Sequence, residues 1–129
     1  MTLENIEIFK RQALRAFAQL YKSFPSATNI EHSTLLSQSE SESGHEAGTI
    51  LWLYNQGFIE GNLIESNPLE GSQKAGVTNA RLSERSLRIL QQPEQNANGV
   101  QLGEMAVSAA FGPGEATAAD LLVKRLLGH

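Results

Sequence analysis

The 129-residue sequence has no cysteine, which excludes disulfide scaffolds, thiolate zinc sites and cysteine nucleophiles. It also lacks any run approaching the roughly 20 apolar residues needed to span a bilayer. The start, Met1-Thr2-Leu3-Glu4, has no basic stretch leading into an apolar one, so a cytoplasmic protein with no membrane contact is expected. The most informative shortage is positive charge in the middle of the chain. Between Lys22 and Lys74 there is no Lys or Arg, while Glu31, Glu40, Glu42, Glu46, Glu60, Glu65 and Glu70 all fall there. The net charge of -4 is therefore concentrated rather than spread.

What is present is enough apolar residue, 40% against 19% charged, to place the chain among globular domains that bury a core without staples. From Leu3 to about Ser23, Ile6, Phe9, Ala13, Leu14, Phe17, Leu20 and Tyr21 recur at helical spacing, and Pro25 ends the run. Ala27–Ile30 reads as a short edge strand, and Glu31 to about Ser37 as a short helix. Ser39-Glu40-Ser41-Glu42-Ser43-Gly44 has no apolar side chain and reads as a solvated turn, with Ser43 placed to cap the next helix. A phosphosite fits such a run, but solvated loop is the plainer reading. From His45 to Gln56, Ala47, Ile50, Leu51 and Tyr54 share a face with Leu53 at its edge, and Gly57 is placed to end the helix in the left-handed conformation.

Phe58–Glu65 has strand character, Ser66–Asn79 is rich in turn residues, and Ala80-Arg81-Leu82 is expected to return as a strand. Ser83 caps a following helix that carries Leu87 and Leu90, with Glu84 against its positive end. Gln91–Gly99 is a polar linker. Beyond it, Leu102, Met105, Ala106 and Ala109 form one small face, Gly112-Pro113-Gly114 breaks the chain, and a last helix spans about Glu115 to Leu127. The fold class expected is mainly α with a small antiparallel β wing. The division expected is 1–91, a linker at 92–100 and a helical extension at 101–129. Phe9, Leu14, Phe17, Ile50, Leu53, Ile59 and Leu82 are the expected core.

Thr49-Ile50-Leu51-Trp52-Leu53-Tyr54-Asn55-Gln56-Gly57-Phe58-Ile59 resembles the recognition helix of winged helix-turn-helix proteins and its turn into the wing. Ala80–Leu90 is similar to the family's returning strand and following helix, with Ser83 and Ser86 where Thr and Gly are usual. The resemblance spans about residues 3–91. It implies a recognition surface of His45, Thr49, Trp52, Asn55 and Gln56, and a wing bearing Gln73 and Lys74.

Two functions follow from that resemblance. The first is a DNA-binding transcriptional regulator, for which Lys10, Arg11, Arg15, Arg81, Arg85 and Arg88 supply a basic face. The alternative is a protein-interaction or dimerisation module, which charge favours because the recognition helix has no Lys or Arg to read guanine or neutralise phosphate, whereas the commonest use of the fold keeps the DNA-binding regulator narrowly ahead. Trp52 is then either an anchor for a partner or covered by the C-terminal helices. The last helix carries Leu121, Leu122, Val123 and Leu126 on a broad apolar side, which leads to the expectation of a homodimer; folding back onto the first helix is the competing arrangement.

No enzyme, metal or cofactor is expected. His45-Glu46 opens a His-Glu-x-x-His pattern, but position 49 is Thr and the second ligand is missing. Gly112-Pro113-Gly114-Glu115 precedes a helix as a phosphate loop does, yet no strand leads into it and no Gly-Lys-Ser/Thr follows.

Overall fold

The helical period between Ile6 and Tyr21 produces α1 (Glu4–Ser23), whose inward side buries Ala13, Leu14, Ala16, Phe17, Ala18 and Leu20. The structure, a computed structural model, describes residues 4–36, 40, 45–66, 74–92 and 101–128. After α1 come β1 (Thr28–Ile30), a 3-10 turn at His32–Leu35, and α2 (Glu46–Asn55). A β hairpin follows, β2 (Ile59–Ser66) and β3 (Lys74–Leu82). The remaining helices are α3 (Glu84–Leu90), α4 (Leu102–Ala109) and α5 (Glu115–Leu127). The described chain is thus mainly helical with one small three-stranded antiparallel sheet, the fold class expected, and it is compatible with a winged-helix-like arrangement.

Local signals set several boundaries. Gly57 adopts φ 77 just beyond α2, a conformation that costs a side chain-bearing residue about 1 kcal/mol or more. That turn lets Phe58 N–H donate to the Leu53 carbonyl at 3.0 Å and swings the chain into β2. Ser83 caps α3, its hydroxyl oxygen accepting from the Ser86 N–H at 3.3 Å. The expected cap of α2, Ser43, lies outside the described residues; His45 holds the cap position without a side-chain cap bond.

The sheet order is β1-β3-β2, so β3 is central and β1 is an edge strand. Here the expected loop over 66–79 is corrected, because β3 begins at Lys74. Its Gly, Thr and Asn residues resemble a turn, but Ala75 and Val77 alternate inward into the core, and Val77 pairs with Ile30 on one side and Leu63 on the other. Cross-strand pairing on both sides overrides weak intrinsic strand propensity.

One core joins the whole described chain. Phe17, Ile50, Leu53, Ile59 and Leu82 are buried in it as expected, and Phe9 is half-buried at its margin. Leu102, Ala106, Ala118, Ala119, Leu122, Val123 and Leu126 belong to the same cluster, so α4 and α5 complete the core around α1. Each buried Leu or Phe contributes roughly 1.5–3 kcal/mol. Gly103 permits the close approach of α4: a Cβ there would lie 2.6 Å from the Tyr21 ring. Beside it, the Tyr21 hydroxyl donates to Gln101 Oε1 at 2.9 Å. Residues 93–100, most of the expected linker, lie outside the described residues. Among the described residues no helix is long and apolar enough to cross a membrane.

Candidate functional site

The hairpin and α2 are the elements expected to carry a recognition surface, and α1 determines how α2 sits. Gln12, on the buried side of α1, donates from Nε2 to Glu46 Oε2 at 2.6 Å, while its Oε1 accepts from the Thr49 hydroxyl at 2.8 Å. Glu46 is 0% exposed and Thr49 2%. Thr49 is therefore not a surface residue, which corrects the expected recognition surface of His45, Thr49, Trp52, Asn55 and Gln56. Ala47 and Ile50 point inward as expected, joined by Leu53, whereas Leu51 and Tyr54 are only half-buried. Apolar periodicity misplaces the helix because it treats every polar side chain as outward, and a buried amide on α1 offers Thr49 and Glu46 hydrogen bonds that water would otherwise supply.

Trp52 is half-buried between two rings. Phe9 meets it edge-on with centroids 5.1 Å apart, and Phe58 stacks on it at 5.7 Å and 30°. The two rings that pack against it thus belong to α1 and to the turn after α2. The exposed surface of α2 is Gly48 and Asn55, continued by Gln56, with His45, Leu51 and Trp52 partly exposed. Lys74 is exposed at the first position of β3, and Gln73 lies outside the described residues.

The six basic residues expected to form one face do not do so, which is a second correction. Arg15, 6% exposed, donates from Nε and Nη2 to the two carboxylate oxygens of Glu115 at 2.7 and 2.8 Å. It also bonds the Leu35 carbonyl at 2.8 Å and both oxygens of Glu40, with the Phe111 ring 4.4 Å away. Burial by itself would lower the pKa of Arg15, but the hydrogen bonds it donates to Glu115 and Glu40 outweigh it and hold the guanidinium charged, its pKa raised above the ordinary value. Lys10 pairs with Asp120 at 2.8 Å, and Arg88 pairs with Glu84 one turn away on α3. Arg85 donates to the Gln56 carbonyl at 2.9 Å and lies over the Phe58 ring. Arg11 is exposed on α1, and Arg81 is exposed on β3 opposite Glu60 of β2. For Arg15 and Lys10, carboxylates brought in from distant segments take up charge that a count of basic residues leaves available.

The expected association surface on α5 is corrected in the same way. Leu122, Val123 and Leu126 are 0%, 4% and 2% exposed within the single chain, and Leu121 is half-buried. Leu127, at 68%, is exposed. The apolar side of α5 is occupied by α1, the competing arrangement.

The sequence reading passes over Gln12 and gives Glu40, Glu46 and Glu115 no part in holding Gln12 and Arg15. One signal was present: Gln12 and Arg15 stand three apart, one helical turn, inside the otherwise apolar stretch that ends at Ala18. His32 accepts the Ala75 N–H on Nε2 at 3.3 Å, and among the described residues no three His, Asp or Glu side chains are grouped to hold a metal ion. Comparisons with family models, with curated proteins and with solved structures find no match for this chain.

Proposed function

We propose that this chain is a non-enzymatic winged-helix-type module whose exposed α2 and hairpin surface binds another protein rather than DNA. The reading of the fold rests on α2 backed against α1 and followed at once by the antiparallel hairpin, the order the sequence resemblance implies. The observation that carries the choice of partner is the composition of the outward side of α2. Gly48, Asn55 and Gln56 with part of His45, Leu51 and Trp52 contribute no Lys or Arg, and the neighbouring Arg85 of α3 is turned onto the Gln56 carbonyl and the Phe58 ring. Duplex DNA takes most of its nonspecific affinity from Lys and Arg on phosphates. A neutral polar surface around a partly exposed Trp is instead inexpensive to desolvate and suits a protein contact.

A salt titration with duplex DNA tests this. At low ionic strength, where counterion release favours binding most, no association is expected. Tight binding that weakens steeply with added salt would overturn the proposal and reinstate a DNA-binding regulator.

A further inference from the structure

The sheet ends on a long strand whose outer side has no strand beside it. In the order β1-β3-β2, β2 is an edge, and among the described residues no strand pairs with its outer side. An edge presents backbone N–H and C=O groups that can template another strand, and proteins commonly guard it with Lys, Pro, a bulge or a short length. β2 is eight residues long and contains neither Lys nor Pro. Its one irregularity lies between Glu60 and Asn62, at Gly61, whose carbonyl accepts from the Tyr54 hydroxyl at 3.4 Å. From Asn62 to Ser66 the ladder against β3 is unbroken, so the second half of β2 is a regular edge.

The residues of that edge select what covers it. Glu60, Asn62 and Ile64 are exposed on the solvent face, while Leu63, on the other face, is half-buried and packs against the core. Ile64 is 54% exposed, and its neighbour across the ladder is Gly76, which has no side chain to shield it. A second copy of β2 can run antiparallel to the first with each face of the sheet continuous only in alternate registers, because a slip of one residue exchanges the faces. Among these registers the two glutamates discriminate. A two-fold axis at Glu60 or Glu65 sets like charges directly opposite, which is destabilising. An axis at Asn62 puts Glu60 across from the partner's Ile64, one at Ile64 puts Glu65 across from the partner's Leu63, and one at Gly61 carries Ile64 past the start of the partner's strand. With the axis at Leu63, the two Leu63 side chains meet, Ile64 faces Asn62 with the two Ile64 side chains diagonal, Glu60 faces Ser66 and Glu65 faces Gly61. We propose that β2 pairs in this register with β2 of a second copy of the chain, joining two three-stranded sheets into one. Closed two-fold pairing of this kind is the commonest form of soluble assembly. The inference goes beyond the reading of α2 and holds whether that helix meets protein or DNA.

Analytical ultracentrifugation of the full chain from micromolar to millimolar concentration tests the association, and hydrogen exchange on the same samples locates it. A monomer–dimer equilibrium is expected, with amide protection over residues 60–66 rising with the dimer fraction. Ile64→Glu removes the apolar contact from both copies and brings like charges to diagonal positions, so dimer affinity should fall by about tenfold or more. Adding Asn62→Lys sets opposite charges across the pair and should restore most of that loss, because this register places position 62 of one copy against position 64 of the other. Both side chains are exposed, so both variants should keep the wild-type circular dichroism, and the exchange measurement on the unaltered protein depends on neither. The proposal is overturned by monomer at every concentration, by protection gained elsewhere, by Ile64→Glu associating as wild type does, or by Asn62→Lys failing to rescue it. None of these outcomes bears on α2, which the DNA titration tests separately.

Discussion

Arg15 of α1 and Glu115 in the first turn of α5 are joined by two parallel hydrogen bonds, Nε to Oε2 at 2.7 Å and Nη2 to Oε1 at 2.8 Å, across 100 positions of sequence. The pair is nearly out of contact with water, so neither charge has solvent as an alternative partner. The same carboxylate accepts the Phe111 N–H at 2.6 Å, so it fixes the turn into α5 as well as the helix itself. Glu115 also sits where the positive end of the α5 dipole favours an anion.

Removing one member of that pair strands the other. Arg15→Ala is expected to destabilise the protein by about 3–5 kcal/mol, because Glu115 is left buried without its cation. The joint replacement Arg15→Met with Glu115→Leu should recover much of the loss, since it removes both charges while keeping volume. Urea unfolding measures both; an Arg15→Ala midpoint equal to wild type would show that the pair contributes nothing.

The surface pair Lys10–Asp120 should give stability a pH dependence. The hydrogen bond from Lys10, then that from Lys124, holds the Asp120 carboxyl below its ordinary value of 3.8. Its folded pKa is depressed, so its contribution is fully present above that unfolded value and is lost as pH falls through the lower folded one. Asp120→Asn should therefore flatten the acid limb of a plot of Tm against pH. An unchanged acid limb would remove Asp120 from the account. Lys10, raised chiefly by its hydrogen bond to Asp120, has the opposite sign: its contribution is lost as pH rises through its elevated folded value.

Thr49 distinguishes a structural from a recognition role on α2. Thr49→Val keeps shape but removes the hydroxyl that donates to Gln12 Oε1, so a loss of about 1–2 kcal/mol in unfolding free energy is expected. A recognition residue at that position would instead leave stability unchanged when its hydroxyl is removed. Calorimetry of the purified variant decides between them.

Deletion of residues 115–129 tests what α5 is for. With Ala118, Ala119, Leu122, Val123 and Leu126 built into the core around α1, the shortened chain is expected to unfold or aggregate, because it exposes the apolar side of α1 that α5 covers. Circular dichroism and size-exclusion chromatography read the outcome. A folded, soluble monomer would mean that α5 is a detachable association element after all.

The sequence by itself determined where most elements start and stop. The period of α1, the left-handed glycine at 57, the serine cap at 83 and the break before Glu115 act within a few residues of the boundaries they set, so they are legible without knowledge of the rest of the chain. What the tertiary structure alone decided is which sides of those elements meet. Thr49 is inside because Gln12 on another helix accepts its hydroxyl, and Arg15 is inside because Glu40 and Glu115 arrive from 25 and 100 positions away. Lys74 to Asn79 form the start of a central strand because partners stand on both sides of Val77. The side of α5 that reads as an interface is covered by α1 of the same chain. In each case the burial of a polar or weakly strand-forming residue depends on a hydrogen-bonding or packing partner supplied by a distant segment, and local periodicity carries no record of that partner.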